Sequence, residues 1–349
     1  MYFPFLFGIS NHILNIKAIN KIQNSIILNK KFRSHNMNKL SCVLAFLVFL
    51  VFPACRQKQN RDTKSVNGKD FPKEMVDFVP YKHNPIFSGT NIESWDKHIR
   101  ERGFIMVEDG IYKMWYTGYI GGDNDPKSLG YATSSDGINW TRYQQNPIFS
   151  QKWTEDMFVI KEAGKYFMFA EGKNDVAHML TSPDGINWEE KGDLQIRTVK
   201  GDTIPGPYGT PSVLIEDGKW YLFYERNDEA VWLATSNDQK IWTNVQDEPV
   251  LKKGPETYDS GAVASNQIVK FRGKYYMYYH GSTDAGWATP GATSIWTSNV
   301  AMSTDLIHWT KYPKNPIVEG DHSSPILVWD GNKFLLYTMH DKVWLYLPR

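Results

Sequence analysis

Four times this chain repeats one short phrase, Ser-x-Asp-x-x-x-Trp: "TSSDGINW", "TSPDGINW", "TSNDQKIW" and "MSTDLIHW", ending at Trp140, Trp188, Trp242 and Trp309. Such a repeat constrains a fold strongly, because each unit is one supersecondary element that cannot bury its apolar face alone. The spacings are 48, 54 and 67 residues. No helical hydrophobic period lies between the phrases, so stacked helix pairs are excluded. Between them run hairpins of aromatic and aliphatic residues about a Gly turn: "EDGIYKMWYTG", "EAGKYFMFAEG", "EDGKWYLFYER", "FRGKYYMYYHG" and "WDGNKFLLYTM". Five hairpins against four Trp phrases leave the last unit short of a strand. The orphan "VPYKHNPIF", Val79 to Phe87, matches the stretch that follows the Trp phrase in "TRYQQNPIF" and "TKYPKNPIV". An N-terminal strand completing the last unit closes a ring and leaves few bare edges. The expectation is an all-β, five-bladed β-propeller over 74–349, closed by that strand. In it the phrase Asp turns the chain between third and fourth strands and the Trp packs between blades. Neither is read as catalytic.

The chain has 349 residues and a formal net charge of +1, with no basic run dense enough for phosphate backbones, which excludes nucleic acid as a partner. Aromatics make up 14%, matching β packing with some rings left to stack on sugars. Both cysteines come early, at Cys42 and Cys55, so the propeller has neither a disulfide nor a thiol nucleophile. Leu40 to Ala54 is apolar and uncharged, too short to span a bilayer comfortably, and follows Met37-Asn38-Lys39. It ends in "VFPAC", which resembles the bacterial lipoprotein signal, with Cys55 as the lipidated residue. Residues 37–55 therefore read as a lipoprotein signal, 1–36 as an upstream extension, and the polar 56–73 as a flexible tether. The implied product is an exported, monomeric lipoprotein anchored in the outer membrane.

Antiparallel blades place the starts of first strands and the ends of second strands on one face. That mouth collects Asp96, Arg100 and Arg102, then Glu155 and Asp156, then Tyr208, Asp259 and His322 from strand entrances. Strand-two exits add Glu171, Glu225, Arg226 and His280. Adjacent carboxylates in a partly dry funnel are how acid and base pKa values are pushed apart. The insertion "GSTDAGWATPGATSIWTS" in blade four falls on the same face and brings Trp287 and Trp296 to its wall. No metal or cofactor motif is present.

With the repeat "SxDGxxW…NPIF", the stretch "GTPSVLIEDGKWYLFYE" and five blades, the chain resembles the propeller glycoside hydrolase clan of families 32, 43, 62, 117 and 130. The resemblance spans about Pro80 to Arg349. It implies catalytic carboxylates at the inner-strand mouths of the first three blades, matched by Asp96 and Asp156. Blade three departs from it: "PGPYGTPS" carries no carboxylate, and Glu225 or Glu171 stands in as acid. His280 is added as a proton carrier, with Arg100, Arg102, Arg226, Tyr208, Asp259, Trp287 and His322 as substrate contacts. The expected activity is hydrolysis of oligosaccharides from an acidic, uronate or sulfated, polysaccharide by paired carboxylates. Two alternatives stand beside it. One is elimination at a terminal uronic acid by an Arg clamp with His or Tyr; the other is non-catalytic glycan binding.

Overall fold

The computed structural model describes residues 70–122, 125–289 and 292–349. The extension at 1–36, the signal at 37–55 with Cys55, and the tether as far as 69 lie outside the described residues. Phe71, inside the stretch read as tether, is buried and packs on Tyr276 and Tyr312 at 6.3 and 4.9 Å between ring centres. The folded unit therefore includes residues before 74.

A single helical turn, Lys73–Val76, leads into β1 (Phe78–Pro80) and β2 (Phe87–Ser88). Blade one is β3 (His98–Glu108), β4 (Ile111–Tyr119), β5 (Ser128–Ser134) and β6 (Thr141–Arg142). Blade two is β7 (Glu155–Glu162), β8 (Lys165–Gly172), β9 (Val176–Ser182) and β10 (Glu189–Asp193). Blade three is widened by flanking strands: β11 (Gln195–Arg197), β12 (Gly209–Glu216), β13 (Lys219–Glu225), β14 (Ala230–Ser236), β15 (Ile241–Asn244) and β16 (Leu251–Lys252). Blade four is β17 (Ala262–Phe271), β18 (Lys274–Ser282), β19 (Trp296–Ser303) and β20 (Thr310–Lys311), and blade five is β21 (Pro325–Trp329), β22 (Phe334–Met339) and β23 (Lys342–Pro348). The five sheets make the five-bladed propeller that the repeat implies. Strands β3, β7, β12, β17 and β21 pack round the axis as the inner ring.

The fifth sheet is completed from the other end of the chain. Strand β1 pairs antiparallel with β23 in the register Phe78↔Pro348, Val79↔Leu347 and Pro80↔Tyr346, and β2 pairs Phe87↔Val343. Just before β2, Asn84 accepts the Leu345 N–H at 2.8 Å and donates to the Leu345 carbonyl at 2.7 Å. Asn146 does the same to Tyr131, and Asn315 to Val300. The repeated "NPI" is thus a side-chain clamp that supplies ladder bonds where the outer strand gives out.

The Trp phrase is equally structural. The Asp136 carboxylate accepts the N–H groups of Ile138 and Asn139, and the Ser134 hydroxyl accepts those of Asp136 and Gly137. Blades two, three and four repeat this with Ser182/Asp184, Ser236/Asp238 and Ser303/Asp305. The tight turn needs a left-handed residue, supplied by Gly137 and Gly185 and then by Gln239 and Leu306 at φ 59° and 67°. Its Trp reaches the preceding blade: Trp188 meets Trp115, Trp242 meets Phe169, and Trp309 meets Phe223 at 5.8–6.3 Å. Both expectations for the phrase hold.

Candidate active site

Every inner strand but the last breaks register with its neighbour near the mouth. The shifts fall between Arg100 and Phe104, Glu155 and Phe158, Gly209 and Ser212, and Ser265 and Gln267. A bulge re-aims side chains where a flat ladder would alternate them. Three bulges hold a non-Gly residue in the left-handed region: Glu101 at φ 51°, Asp156 at 45° and Thr210 at 42°. Such backbone costs of order 1 kcal/mol or more per residue and concentrates at functional sites. All three face one cavity of about 310 Å³ at the mouth of the channel.

All five blades contribute to its wall. Blade one gives Arg100 and Glu101; blade two Asp156, Glu171 and Asp175; blade three Thr210, Glu225 and Asp228. Blade four gives His280, Trp287 and Trp296, and blade five Ser323 and His340. Glu155 stands behind Arg100, whose Nε lies 3.2 Å from both Glu101 and Glu155; the Trp153 indole donates to Glu155 at 2.6 Å. Glu171 accepts the Thr210 N–H at 2.8 Å, while Glu225 accepts those of Gly209 at 2.9 Å and Asp228 at 2.6 Å. A Cβ on Gly209 would sit 2.3 Å from a Glu171 oxygen and 2.4 Å from a Glu225 oxygen. The missing side chain at this glycine is what lets two carboxylates converge.

Their proton affinities divide. Burial raises the Glu101 carboxyl, but His340 at 3.6 Å and Arg100 at 3.2 Å outweigh it and hold Glu101 below the ordinary carboxylate range. Burial, then repulsion from Glu101, pushes Asp156 well up, with Arg102 opposing. Burial and the fields of Asp156 and Glu155 push Glu171 well up too. Burial carries Glu155 and Glu225 to about 7 and Asp228 well above its usual value. His280 is driven down to about 4 by burial, so at neutral pH it is an uncharged ring, 3.1 Å from the Asn266 amide and edge-on to Trp296. A carboxylate held ionised beside carboxyls held protonated is the division of labour that acid–base chemistry uses.

Of the residues singled out from sequence, Asp156, Glu171, Glu225, His280, Arg100, Trp287 and Trp296 meet in this cavity. The others do not. Asp96 is buried outside it, accepting from Arg142 at 2.9 Å, Tyr116 at 3.1 Å and Ser94 at 2.9 Å. Asp259 is its counterpart in blade four, accepting from Lys311 at 2.5 Å and Tyr279 at 3.1 Å. Both carboxylates fasten a strand-one entrance to the outer strand of their own blade. Tyr208 spends its hydroxyl on the Leu194 carbonyl at 2.6 Å. His322 packs on Trp344 at 4.4 Å. Arg226 lies over Trp232, and Arg102 is fully buried in the channel with its guanidinium on backbone carbonyls. The arginine clamp expected for a uronate is therefore not assembled: the one arginine at the wall already pairs with two glutamates.

Three acids of the site, Glu101, Asp175 and Asp228, were not picked out. The last two sit in the turns from second to third strands, which open on the same face as the exits of strand two and could have been read by the same logic. Glu101 is hidden by blade one having one residue more in its bulge than blade two, which slips the alignment of strand entrances.

The family model described as the glycosyl hydrolases family 32 N-terminal domain matches residues 59–204. Among curated proteins, a 1,2-beta-oligomannan phosphorylase of Thermoanaerobacter sp. (strain X514) is 29% identical over 230 residues, covering 60% of this chain and 73% of that one. Among solved structures, a glycosyl hydrolase from Bacteroides ovatus superposes with a TM-score of 0.62 at 19% identity, over 79% of this chain and 94% of the other. A beta-1,2-mannobiose phosphorylase from Listeria innocua does so at 0.60 and 14%, over 78% and 96%. At these identities the superpositions speak to the fold.

Proposed function

Because the chain is a divergent member of the five-bladed propeller glycoside hydrolase clan, we propose that it hydrolyses a glycosidic bond of an oligosaccharide bound in the acidic cavity. The carrying observation is the opposed tuning of neighbouring carboxyls. Glu101 is held ionised by His340 and Arg100, whereas Asp156 is held protonated by burial and the field of Glu101, and Glu171 by burial and the field of Asp156. Glu101 then activates water or attacks the anomeric carbon, and Glu171 protonates the departing oxygen. Asp156 adds to burial in keeping the proton on Glu171.

Phosphorolysis is the second reading, favoured by the relative that carries a phosphorylase name. A phosphate needs a cation to receive it. Arg100 is already shared by Glu101 and Glu155, His340 sits against Glu101 at 3.6 Å, and His280 is uncharged at neutral pH, so water is the better-suited nucleophile. The same balance turns the substrate toward neutral sugars and away from uronate or sulfated ones. β-Mannosides are the first class to try, given that relative. The reading includes an exported form acylated at Cys55, checked by palmitate labelling that Cys55→Ala should abolish.

The test is substitution with two kinds of substrate. Glu171→Gln should cut turnover of an unactivated oligosaccharide about 10²- to 10⁴-fold, the range for a general acid. It should spare an aryl glycoside whose leaving group needs no proton. Equal losses on both substrates would remove Glu171 from the acid role.

A further inference from the structure

One buried side chain bridges the inner strands of blades two, three and four. Arg102 is 0% exposed and carries a cation into the inner ring. Its Nη1 donates to the carbonyls of Ser265 at 3.1 Å and Asn266 at 2.9 Å, both in blade four. Its Nη2 donates to Pro211 of blade three at 2.7 Å and to the Asp156 carbonyl of blade two. The Arg102 backbone N–H also meets the Asp156 carboxylate at 3.2 Å. These acceptors all belong to the bulged heads of inner strands, where the ladder leaves carbonyls without a strand partner. A planar fork with five donors can serve four carbonyls at once, which an ammonium cannot.

Hydrogen bonding alone does not require a charge at this place. The acids around it do as they ionise with rising pH. Asp156 and Glu171 of blade two act on the Arg102 guanidinium, and the uncharged His280 of blade four lies within its field; Arg100, Glu101 and Glu225 line the same cavity, with Glu155 behind Arg100. Arg100 is committed to Glu101 and Glu155. We propose that Arg102 is a positioning residue of this site: an internal counter-ion whose fork fixes the bulges of blades two, three and four, and whose charge compensates the acids those bulges present. Burial lowers the Arg102 guanidinium to about 10 against the opposing pull of Asp156 and Glu171, so it stays charged at neutral pH.

The test separates the charge from the hydrogen bonds. Melting of wild type, Arg102→Met and the double variant Arg102→Met/Asp156→Asn would be followed without substrate from about pH 5.5 to about pH 8.5. The gap between wild type and Arg102→Met should widen as pH rises and Asp156 and Glu171 seek their charge. Asp156→Asn should recover a large part of the gap at the alkaline end, since it removes the acid that calls for the cation. A gap constant with pH and untouched by Asp156→Asn would overturn the inference and leave Arg102 as a carbonyl partner only. Failure of both variants to fold at any pH would do the same, as would an Arg102→Met melting like wild type. A rate arm rests on the hydrolase reading, and the melting arm does not. Arg102→Lys keeps the charge, so its pH–kcat/KM profile should hold its position while kcat/KM falls about tenfold or more through looser bulges. A displaced profile in that variant would count against the counter-ion.

Discussion

Asp96 and Glu101 stand five positions apart and do opposite things. Asp96 is a buried anion with a fixed cation, Arg142, whereas Glu101 faces the cavity from a left-handed bulge. Glu101→Gln should therefore lower kcat/KM about 10²- to 10⁴-fold with little change in melting. Asp96→Asn should leave turnover per folded molecule near wild type but cost about 3–5 kcal/mol, because it strands a partly buried arginine. Calorimetry and steady-state rates on the two variants decide; full activity in Glu101→Gln would remove it from the mechanism. At this scale the sequence was half legible. Strand topology brought Asp156, Glu171, Glu225 and His280 to the right face, since that follows from antiparallel order alone. It could not say whether an acid at a strand entrance turns inward or outward. For Asp96 and Asp259 the answer lies in a cation on the fourth strand, Arg142 or Lys311, some fifty residues along the chain.

Among elements, the repeat carried nearly all the information. Its Ser, Asp, Gly and Trp each perform a local task that their chemistry names, so blade number and turn positions could be read directly. The Asn clamp was visible only as a recurring "NPI", because its partners are backbone groups of the neighbouring strand. Asn84→Ala would orphan the N–H of Leu345, whose carbonyl keeps the Tyr81 N–H at 2.8 Å, and should cost about 1–3 kcal/mol, read as a lowered Tm. An unchanged Tm would mean that β1 and β2 hold to β23 without it. The blade-four insertion is the element least bound by the repeat. Its Trp287 meets Trp296 at 5.2 Å in a T-shaped pair on the cavity wall, and Trp296 proves to open β19 rather than to sit in the loop. Replacing both with Ala should raise KM and leave kcat and melting nearly unchanged. Unaltered kinetics would deny them a substrate role.

For the molecule as a whole, the cavity sets a pH dependence of stability that runs against the usual one for acids. Glu155 and Glu225 rise from an ordinary 4.5 to about 7 on folding, and burial also raises Asp156, Glu171 and Asp228 well above their ordinary values. The folded state binds protons that the unfolded chain has released, so stability falls as pH climbs from about 4.5 through 7 and beyond. The opposite case is Glu108, held down to about 2 by Lys113, Lys161 and Tyr166 against the effect of burial; its contribution is lost as pH drops from 4.5 toward 2. Without substrate the Tm should therefore peak near pH 5, and a maximum near pH 8 would contradict the electrostatics of the site. The same surplus of carboxyl groups is the basis on which we propose water over phosphate and neutral over anionic sugars. The most direct test is a single incubation of a β-linked manno-oligosaccharide with the protein in ¹⁸O-water, with and without inorganic phosphate, the products being weighed by mass spectrometry. Hydrolysis predicts one ¹⁸O in the released reducing sugar at the same rate in both mixtures. A sugar 1-phosphate formed only when phosphate is present, or an unsaturated product carrying no ¹⁸O, would contradict it.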